Sequence, residues 1–367
     1  MVVSSSSPPK VGVVGLGNIG RFHADRLVDH GADLVGGVDI DPDVRARFAD
    51  AYATTTYETA PELFAVADAV IVATPNRFHE EYAVSALDHD VDVLLEKPLA
   101  HSIESAEGIA DAAADSDGFV MTGFKNRFTN PVEVLKRFQD QGRFGSTRHV
   151  EANYIRRRGI PGRGSWFTSR DASGGGSLID IGVHAIDLSL YFLDFPEVVE
   201  VSATTRSAFG TREDYAYIDM WGEDRGPEGF DVDDSVSAFI RCADGSTVNL
   251  EAAWATNRPT SQEFLVRGTD AGACFDQSED SLKLYESSKE GADHLADTDI
   301  TTRSNDAMMA EQRAFLDAVE RGEPPERNTI EQGITVQRVI DAIYRSSEAG
   351  RAIRLDDATQ EAPVELD

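Results

Sequence analysis

A glycine-rich turn between an apolar run and a predicted helix constrains the fold more than any other feature of the chain. Residues 11–14 predict a buried strand, and Gly15, Gly17 and Gly20 follow as G-x-G-x-x-G. The first glycine allows a tight turn, the second lets the backbone approach a pyrophosphate, and the third lets the helix pack on its strand. Because a helix N-terminus offers unpaired N–H groups to anions, the pattern predicts a dinucleotide-binding unit.

An acidic residue stands where such a unit contacts the ribose. Asp39 ends the next apolar run, residues 34–38, and a carboxylate there accepts the ribose hydroxyls but repels a 2′-phosphate. Arg45 is the nearest arginine along the chain. We therefore expect NAD as the cofactor in preference to NADP. In this region we expect it to contact Gly15, Gly17, Asn18, Ile19, Gly20 and Asp39.

Periodicity divides the chain into two domains. Up to Arg127, short apolar runs alternate with helical patterns, which predicts a doubly wound parallel sheet. From Thr147 the runs lengthen and alternate, at residues 149–155, 198–207, 236–241, 247–256 and 262–268, which predicts antiparallel or mixed strands. We expect an α/β protein with an N-terminal Rossmann domain at 9–127. A C-terminal α/β domain at 128–356 would hold a large open, mostly antiparallel or mixed sheet, with flexible tails at 1–8 and 357–367.

Acidic residues outnumber basic ones along the whole chain. The 367 residues include 65 acidic and 34 basic side chains, for a formal net charge of −31. This excess argues against nucleic acid or an anionic membrane as partner. Lysine is scarce, and the composition resembles that of proteins from halophilic archaea. We therefore expect the folded state to need high salt, where the Debye length falls to about 3 Å.

Other signals bear on compartment and metal chemistry. No apolar run approaches the roughly 20 residues of a membrane span, and the N-terminus lacks the basic and apolar regions of a signal peptide. Cys242 and Cys274 have neither metal nor redox spacing. We expect a cytoplasmic protein with no membrane or metal partner.

The tripeptide Glu96-Lys97-Pro98 ends a predicted strand at residues 92–95. Ligands of open α/β sheets bind at the carboxyl ends of strands, so a lysine there can donate to a substrate oxygen and favour an alkoxide. The alternative interpretation is a surface lysine in a loop. The Lys97–Pro98 bond is a candidate for the cis form, because X–Pro bonds tolerate it.

Three polar residues interrupt a predicted apolar helix that begins at Leu178. Asp180, His184 and Asp187 are spaced to share one face, and burying them is costly unless they are paired or used. A carboxylate one turn from an imidazole orients the ring and raises its basicity. The alternative is a hydrogen-bonded core histidine with a structural aspartate. A metal site is not indicated, because no second histidine lies nearby.

Together the three motifs resemble one known family. The glycine loop, Glu96-Lys97-Pro98 and the pattern Gly176-x-x-x-Asp180-x-Gly-x-His184-x-x-Asp187 occur as in the glucose–fructose oxidoreductase/inositol dehydrogenase (Gfo/Idh/MocA) family, over residues 10–353. The resemblance implies an open C-terminal sheet that often serves oligomerisation, hence a homodimer or homotetramer. It implies a catalytic set of Lys97, Asp180 and His184. It also implies that Thr74, Pro75, Asn76 and His79 form the cofactor-side loop, and we expect Glu96 and Lys97 to contact the cofactor too.

A basic segment stands out in this acidic chain. Residues 153–170 contain no acid but include Arg156, Arg157, Arg158, Arg163 and Arg170. One interpretation is a substrate loop that favours a sugar acid or phosphorylated polyol; the others are a subunit contact or a solvated loop. The acidic insertion at 214–234 has no assigned role. The predicted substrate-binding residues are Lys97, Asn126, Tyr154, Arg156, Trp166, Asp180 and His184.

The main functional hypothesis is NAD-dependent oxidation of a secondary alcohol in a sugar, cyclic polyol or sugar derivative. In this hypothesis His184 accepts the hydroxyl proton, Asp180 orients His184, and Lys97 stabilises the developing oxyanion. Lys97 is the alternative base. Two other classes stay open. One is a sugar hydrolase or lyase that retains NAD and uses transient oxidation, and the other is a non-catalytic sugar- or nucleotide-sensing protein.

Overall fold

The structure, a computed structural model, describes residues 8–218 and 220–355. The predicted tails at 1–8 and 357–367 therefore lie outside the described residues, except for Pro8. The chain divides into two units. Residues up to Lys125 join Asp306–Gln337 in the first, and Asn126–Asn305 join the residues from Arg338 onward in the second.

The helices, numbered along the chain, are α1 (Asn18–His30), α2 (Pro42–Tyr52), α3 (Ala60–Phe64), α4 (His79–Leu87), α5 (Ile103–Asp115), α6 (Asn130–Asp140), α7 (Arg170–Ser173), α8 (Val183–Phe192), α9 (Ala307–Arg321) and α10 (Ile330–Ala349). Within the described ranges, none of them combines the length and apolar character needed to span a bilayer.

A six-stranded parallel sheet forms the centre of the first unit. Its strands are β1 (Lys10–Val14), β2 (Asp33–Val38), β3 (Thr56–Tyr57), β4 (Ala69–Val72), β5 (Asp92–Glu96) and β6 (Val120–Gly123). Their spatial order is β3-β2-β1-β4-β5-β6, which confirms the predicted doubly wound sheet. Because the order reverses between β1 and β4, the carboxyl ends of these strands border the crevice where such sheets bind ligands.

The helix α9 belongs to the first unit, whereas the predicted boundaries assigned residues 306–337 to the second domain. Arg26 of α1 donates to the Asp306 carboxylate through Nε at 2.9 Å, and the rings of Phe119 and Phe315 meet edge-on at 6.0 Å. The apolar face of α9 is buried at Phe315 and Leu316. The chain therefore returns to its first unit to cover that face, a long-range pairing that local periodicity does not reveal.

A nine-stranded mixed sheet forms the second unit. Its strands are β7 (Thr147–Ile155), β8 (Val198–Arg206), β9 (Ser235–Cys242), β10 (Thr247–Ala253), β11 (Glu263–Gly268), β12 (Ala271–Asp276), β13 (Ser281–Ser288), β14 (His294–Ile300) and β15 (Ile353–Arg354). The order is β14-β13-β12-β11-β7-β10-β9-β8-β15, with β7 and β10 parallel and the other described pairs antiparallel. The sheet confirms the predicted mixed architecture.

A π-helical turn at Leu178–Gly182 leads into α8, which is buried along nearly its whole length as predicted. Asp187 of this helix forms an ion pair with Arg127, both fully buried. The Arg127 Nη2 and Nε atoms lie 2.5 and 3.1 Å from Asp187 Oδ1. The guanidinium also lies over the rings of Tyr191 and Phe195, at 4.9 and 4.8 Å. The pair therefore fixes α8 from within the second unit.

Replacing Asp187 tests this anchor. Asp187→Leu leaves the Arg127 guanidinium buried without its carboxylate, so we expect the free energy of unfolding to fall by about 3–5 kcal/mol. Arg345→Gln removes one partner of an exposed pair with Asp341 and should cost less than about 1 kcal/mol. Denaturant titrations at fixed salt measure both changes. Equal losses in the two variants would contradict the prediction.

Candidate active site

The glycine loop after β1 shows the close approaches that its motif requires. Gly15 adopts a φ of +88°, and a Cβ there would lie 2.7 Å from the Ala73 carbonyl oxygen. A Cβ on Gly20 would lie 1.9 Å from the Gly15 carbonyl oxygen, whereas one on Gly17 would meet no atom within 4 Å. Gly17 caps α1 without a side-chain hydrogen bond, and the first turn holds no acid. The open N–H groups therefore fit the pyrophosphate of a dinucleotide.

Asp39 follows β2 and ties that strand end to the glycine loop. Its Oδ2 accepts the N–H of Leu16 at 2.9 Å, and its Oδ1 accepts the N–H of Asp41 at 2.9 Å. Each oxygen keeps further acceptor capacity for a ribose hydroxyl. Arg45 donates to the Asp39 carbonyl oxygen at 2.8 Å, and its Nη2 lies 3.6 Å from Glu58 Oε1. The Arg45 guanidinium therefore already binds the Asp39 carbonyl oxygen and lies beside the Glu58 carboxylate.

The loops after β4 and β5 are joined by His79. Its Nδ1 lies 2.9 Å from the Pro98 carbonyl oxygen, and its Nε2 lies 3.1 Å from the Thr74 carbonyl oxygen. Burial lowers the pKa of His79, and the hydrogen bonds to the Thr74 and Pro98 carbonyl oxygens partly offset this shift. The Lys97–Pro98 bond is cis, as predicted. His79 therefore positions the loop that carries Lys97 against the loop that carries Thr74.

Glu96 ends β5 and is held by polar contacts from α1 and α9. Gln312 Nε2 lies 2.6 Å from His23 Nδ1, and His23 Nε2 lies 2.9 Å from Glu96 Oε1. Since the amide N–H donates, Nδ1 accepts and Nε2 carries the proton given to Glu96. Burial alone would raise the pKa of Glu96, but the His23 hydrogen bond and two nearby lysines lower it to about 2. The resulting carboxylate accepts the backbone N–H of Lys97 at 3.2 Å.

In the second unit, Asp180 and His184 lie about one turn apart on the segment formed by the π turn and α8. Asp180 Oδ2 accepts the indole N–H of Trp254 at 2.9 Å and lies 3.4 Å from Arg156 Nη1. The His184 ring stacks on Tyr154, with centroids 6.2 Å apart and planes at 23°. Both rings are largely buried. Burial raises the pKa of Tyr154.

The N-terminal end of this segment is held by Asp233, which the sequence analysis did not single out. A Cβ on Gly176 would lie 1.9 Å from the Asp233 carbonyl oxygen, so only glycine fits there. Burial raises the pKa of the Tyr344 phenol, which donates to this carboxylate. One acid of the insertion at 214–234 therefore fixes the segment. The donors to its two oxygens, at 2.7 to 2.9 Å, are Gly176 N, Tyr344 OH, Ser177 Oγ and Leu178 N.

Part of the basic segment at 153–170 is structural. Arg163 is buried and donates to the Asp224 carboxylate at 2.8 and 3.0 Å. Phe167 packs on Trp166 with ring centroids 3.7 Å apart and meets Trp221 edge-on at 4.2 Å. The acidic insertion, to which the sequence analysis assigned no role, therefore packs against the basic segment.

The remaining predicted residues occupy defined positions. Asn18 accepts from Arg21 Nη2 at 2.9 Å, and Ile19 is exposed at the start of α1. Asn76 is buried in the turn after β4, and Pro75 precedes it half-buried. Asn126 is buried, and its carbonyl oxygen accepts from the Thr129 hydroxyl at 3.1 Å. Among the described residues, no cluster of three or more His, Cys, Asp or Glu side chains is arranged to hold a metal ion.

Sequence reasoning missed four residues that hold these groups: His23, Gln312, Trp254 and Asp233. His23 and Gln312 are polar residues buried with the apolar faces of α1 and α9. That break in amphipathic pattern is a signal that could have found them. Trp254 and Asp233 act across long sequence separations and left no local signal.

The parallel sheet, its glycine loop and the acid after β2 define a dinucleotide-binding oxidoreductase. Residues 9–124 match the family described as an oxidoreductase family with an NAD-binding Rossmann fold, and residues 132–274 match the GFO/IDH/MocA C-terminal domain. The chain belongs to the Gfo/Idh/MocA family.

Its relatives include named sugar dehydrogenases. The chain is 29% identical to the D-glucoside 3-dehydrogenase of Escherichia coli (strain K12), covering 96% of this chain and 99% of that protein. It is 32% identical to the glucose-6-phosphate 3-dehydrogenase of Bacillus subtilis (strain 168), covering 58% and 64%. A levoglucosan dehydrogenase solved with NADH and levoglucosan shares the fold, with a TM-score of 0.81 and 22% identity over 95% of this chain and 99% of that one.

The lowered pKa of Glu96 generates a pH prediction. A carboxyl with a folded pKa of about 2 against an ordinary 4.5 stabilises the fold fully above pH 4.5, and loses that contribution as pH falls towards 2. We expect the stability difference between wild type and Glu96→Gln to shrink by about 3 kcal/mol across this range. Denaturant titrations against pH measure it, with the exposed Glu81→Gln as control. A constant difference for Glu96→Gln would contradict the prediction.

Proposed function

We propose that this protein oxidises a secondary alcohol of a sugar, cyclic polyol or sugar derivative, with NAD as hydride acceptor. The observation that carries the proposal is the position of Lys97 directly after β5. This residue shares a sheet edge with the glycine loop, Asp39 and Thr74. The sugar dehydrogenases among the relatives support the substrate class.

The proposed chemistry assigns one task to each residue. When bound, the dinucleotide supplies the nicotinamide carbon that accepts a hydride from the carbinol. Lys97 Nζ donates to the hydroxyl oxygen and stabilises the negative charge that develops there. A ring nitrogen of His184 takes the hydroxyl proton, and Asp180 supports the charged imidazole. Trp254 and Arg156 hold Asp180 for this task.

A substrate screen tests the proposed function. The protein is incubated with NAD and with glucosides, glucose 6-phosphate, levoglucosan or inositols at molar KCl, and NADH formation is followed. We expect NADH to form in step with oxidised sugar for one of these classes. Sugar conversion without net NADH would instead favour a hydrolase or lyase that retains its cofactor. No conversion of any sugar would contradict both enzymatic functions.

Replacing the proposed base tests its role. His184→Ala should lower kcat by about 10²- to 10⁴-fold, the usual contribution of general acid–base catalysis, and leave NAD binding nearly unchanged. Ser189→Ala is the matched control, because it removes a buried polar atom from the same helix. Steady-state rates and melting temperatures are measured together. A His184→Ala protein that melts several degrees lower yet turns over normally would show a structural role only.

The cofactor preference depends on the Asp39 charge. We propose NAD over NADP, because a carboxylate beside the ribose repels a 2′-phosphate. Asp39→Asn keeps the side-chain shape but removes the charge, so kcat/KM with NADP should rise about tenfold or more relative to NAD. Initial rates with both cofactors at high salt measure it. Wild-type efficiency with NADP that equals or exceeds that with NAD would contradict the assignment.

We propose that the acidic surface is an adaptation to high salt of the kind found in halophilic archaea. A net charge of −31 repels itself in dilute buffer, whereas molar salt screens this repulsion. The melting temperature should therefore rise markedly between low and molar KCl. Thermal melts across a KCl series measure it, and an unchanged midpoint would assign the acidity another purpose.

We also propose that the protein works in the cytoplasm and self-associates through one face of the nine-stranded sheet. Free Cys242 and Cys274 fit a reducing compartment. Phe239, Leu265 and Tyr285 share the outer sheet face by register and are partly exposed. Light scattering at high salt should give a dimeric or tetrameric mass, and Leu265→Arg should reduce it. A monomeric wild type excludes this interface.

A further inference from the structure

A cavity of about 600 Å³ in the second unit has no task in the proposed hydride transfer. Three consecutive arginines form one wall, and the described lining residues include no carboxylate. This is unusual surface for a chain with a net charge of −31. The cavity is lined by Arg156, Arg157, Arg158, Gly159, Ala216, Ile218, Met220 and Thr260.

Arg156 pairs with Asp180, but the other two arginines of the wall have no carboxylate partner in the described part of the chain. Arg157 is exposed, and its guanidinium forms no hydrogen bond or ion pair with another residue in the described part of the chain. Among the described residues, Arg158 donates at 2.7 to 2.8 Å to three neutral oxygens, those of the Arg157 and Thr256 carbonyls and the Asn257 amide. Its position is therefore fixed while its positive charge stays available.

Two described acids of the insertion are paired with arginines outside the cavity. Asp224 of the insertion pairs with Arg163, and Asp214 pairs with Arg212 at 2.8 Å. The basic segment thus separates into an internally paired part and a part that faces open volume. Arg156 joins the cavity to the proposed site, because its Nη1 also lies 3.4 Å from Asp180 Oδ2.

We infer that this cavity binds an anionic substituent of the substrate, a phosphate or carboxylate group carried by a sugar. Planar guanidinium groups bind such oxyanions through paired hydrogen bonds. A concave volume of this size is typical of small-molecule sites, which favours a substrate group over the acidic surface of another subunit. This inference rests on the proposed sugar oxidation for the identity of the ligand, but anion binding itself is testable alone.

The first experiment measures anion binding without turnover. Calorimetry of the full chain, with saturating NAD to occupy the glycine loop, uses inorganic pyrophosphate as probe. We expect binding by wild type and a loss of about tenfold or more in Arg157→Gln, with a smaller loss in Arg157→Lys. Arg241→Gln is the matched control, because it removes one positive charge from a surface pair with Glu200. No binding by wild type, or equal losses in Arg157→Gln and Arg241→Gln, would overturn the inference.

The second experiment compares glucose, glucose 6-phosphate and glucuronate as substrates, which separates phosphate from carboxylate recognition. Arg157→Gln should raise KM for an anionic sugar at least about tenfold and leave KM for glucose unchanged. If wild type and Arg157→Gln both turn over glucose and the anionic sugars with the same KM, the inference is overturned but the proposed function stands. Pyrophosphate binding that depends on Arg157, without turnover of any sugar, would support the anion site and contradict the proposed sugar oxidation. A changed oligomeric mass in Arg157→Gln, with anion affinity intact, would assign the arginines to a subunit contact.

Discussion

The buried carboxylate of Asp233 is the contact on which the second unit's proposed chemistry depends. The start of a helical segment leaves backbone N–H groups unpaired, and a buried carboxylate is costly unless both of its oxygens are satisfied. Asp233 satisfies both conditions, because two backbone N–H groups, a serine hydroxyl and a tyrosine hydroxyl donate to its two oxygens. The following turn carries Asp180, and the next carries His184. Asp233, which is distant in sequence, therefore helps to position both Asp180 and His184.

The first unit uses the same physical device at Glu96. Its carboxylate is half-buried, and the His23 hydrogen bond and two nearby lysine charges keep its pKa low, while the Lys97 backbone N–H donates to its second oxygen. Gln312 fixes the His23 ring in the tautomer that can donate. Glu96 and Asp233 thus hold in place the loop that carries Lys97 and the segment that carries His184.

The sequence alone predicted the features that have local signatures. The glycine spacing, the strand that ends at Glu96-Lys97-Pro98 and the apolar helix with Asp180 and His184 all leave patterns within about one helical or strand period. Strands β12 to β14 were also missed; β14 is largely exposed and its residues alternate weakly, whereas β12 does alternate buried and half-buried residues. The π turn, the return of α9 to the first unit and the pairing of Arg127 with Asp187 were also missed. These features depend on long-range packing, which periodicity does not encode.

The central proposal is that Lys97 and His184 act on the same hydroxyl. Single-turnover NADH formation by Lys97→Met, His184→Ala and the double variant tests it most directly. Residues that act as a unit lose less together than the product of their separate losses, because the first replacement already disables the shared step. We predict that the double variant is little slower than the slower single variant. Losses that multiply fully, or a single variant with wild-type rate, would contradict the account.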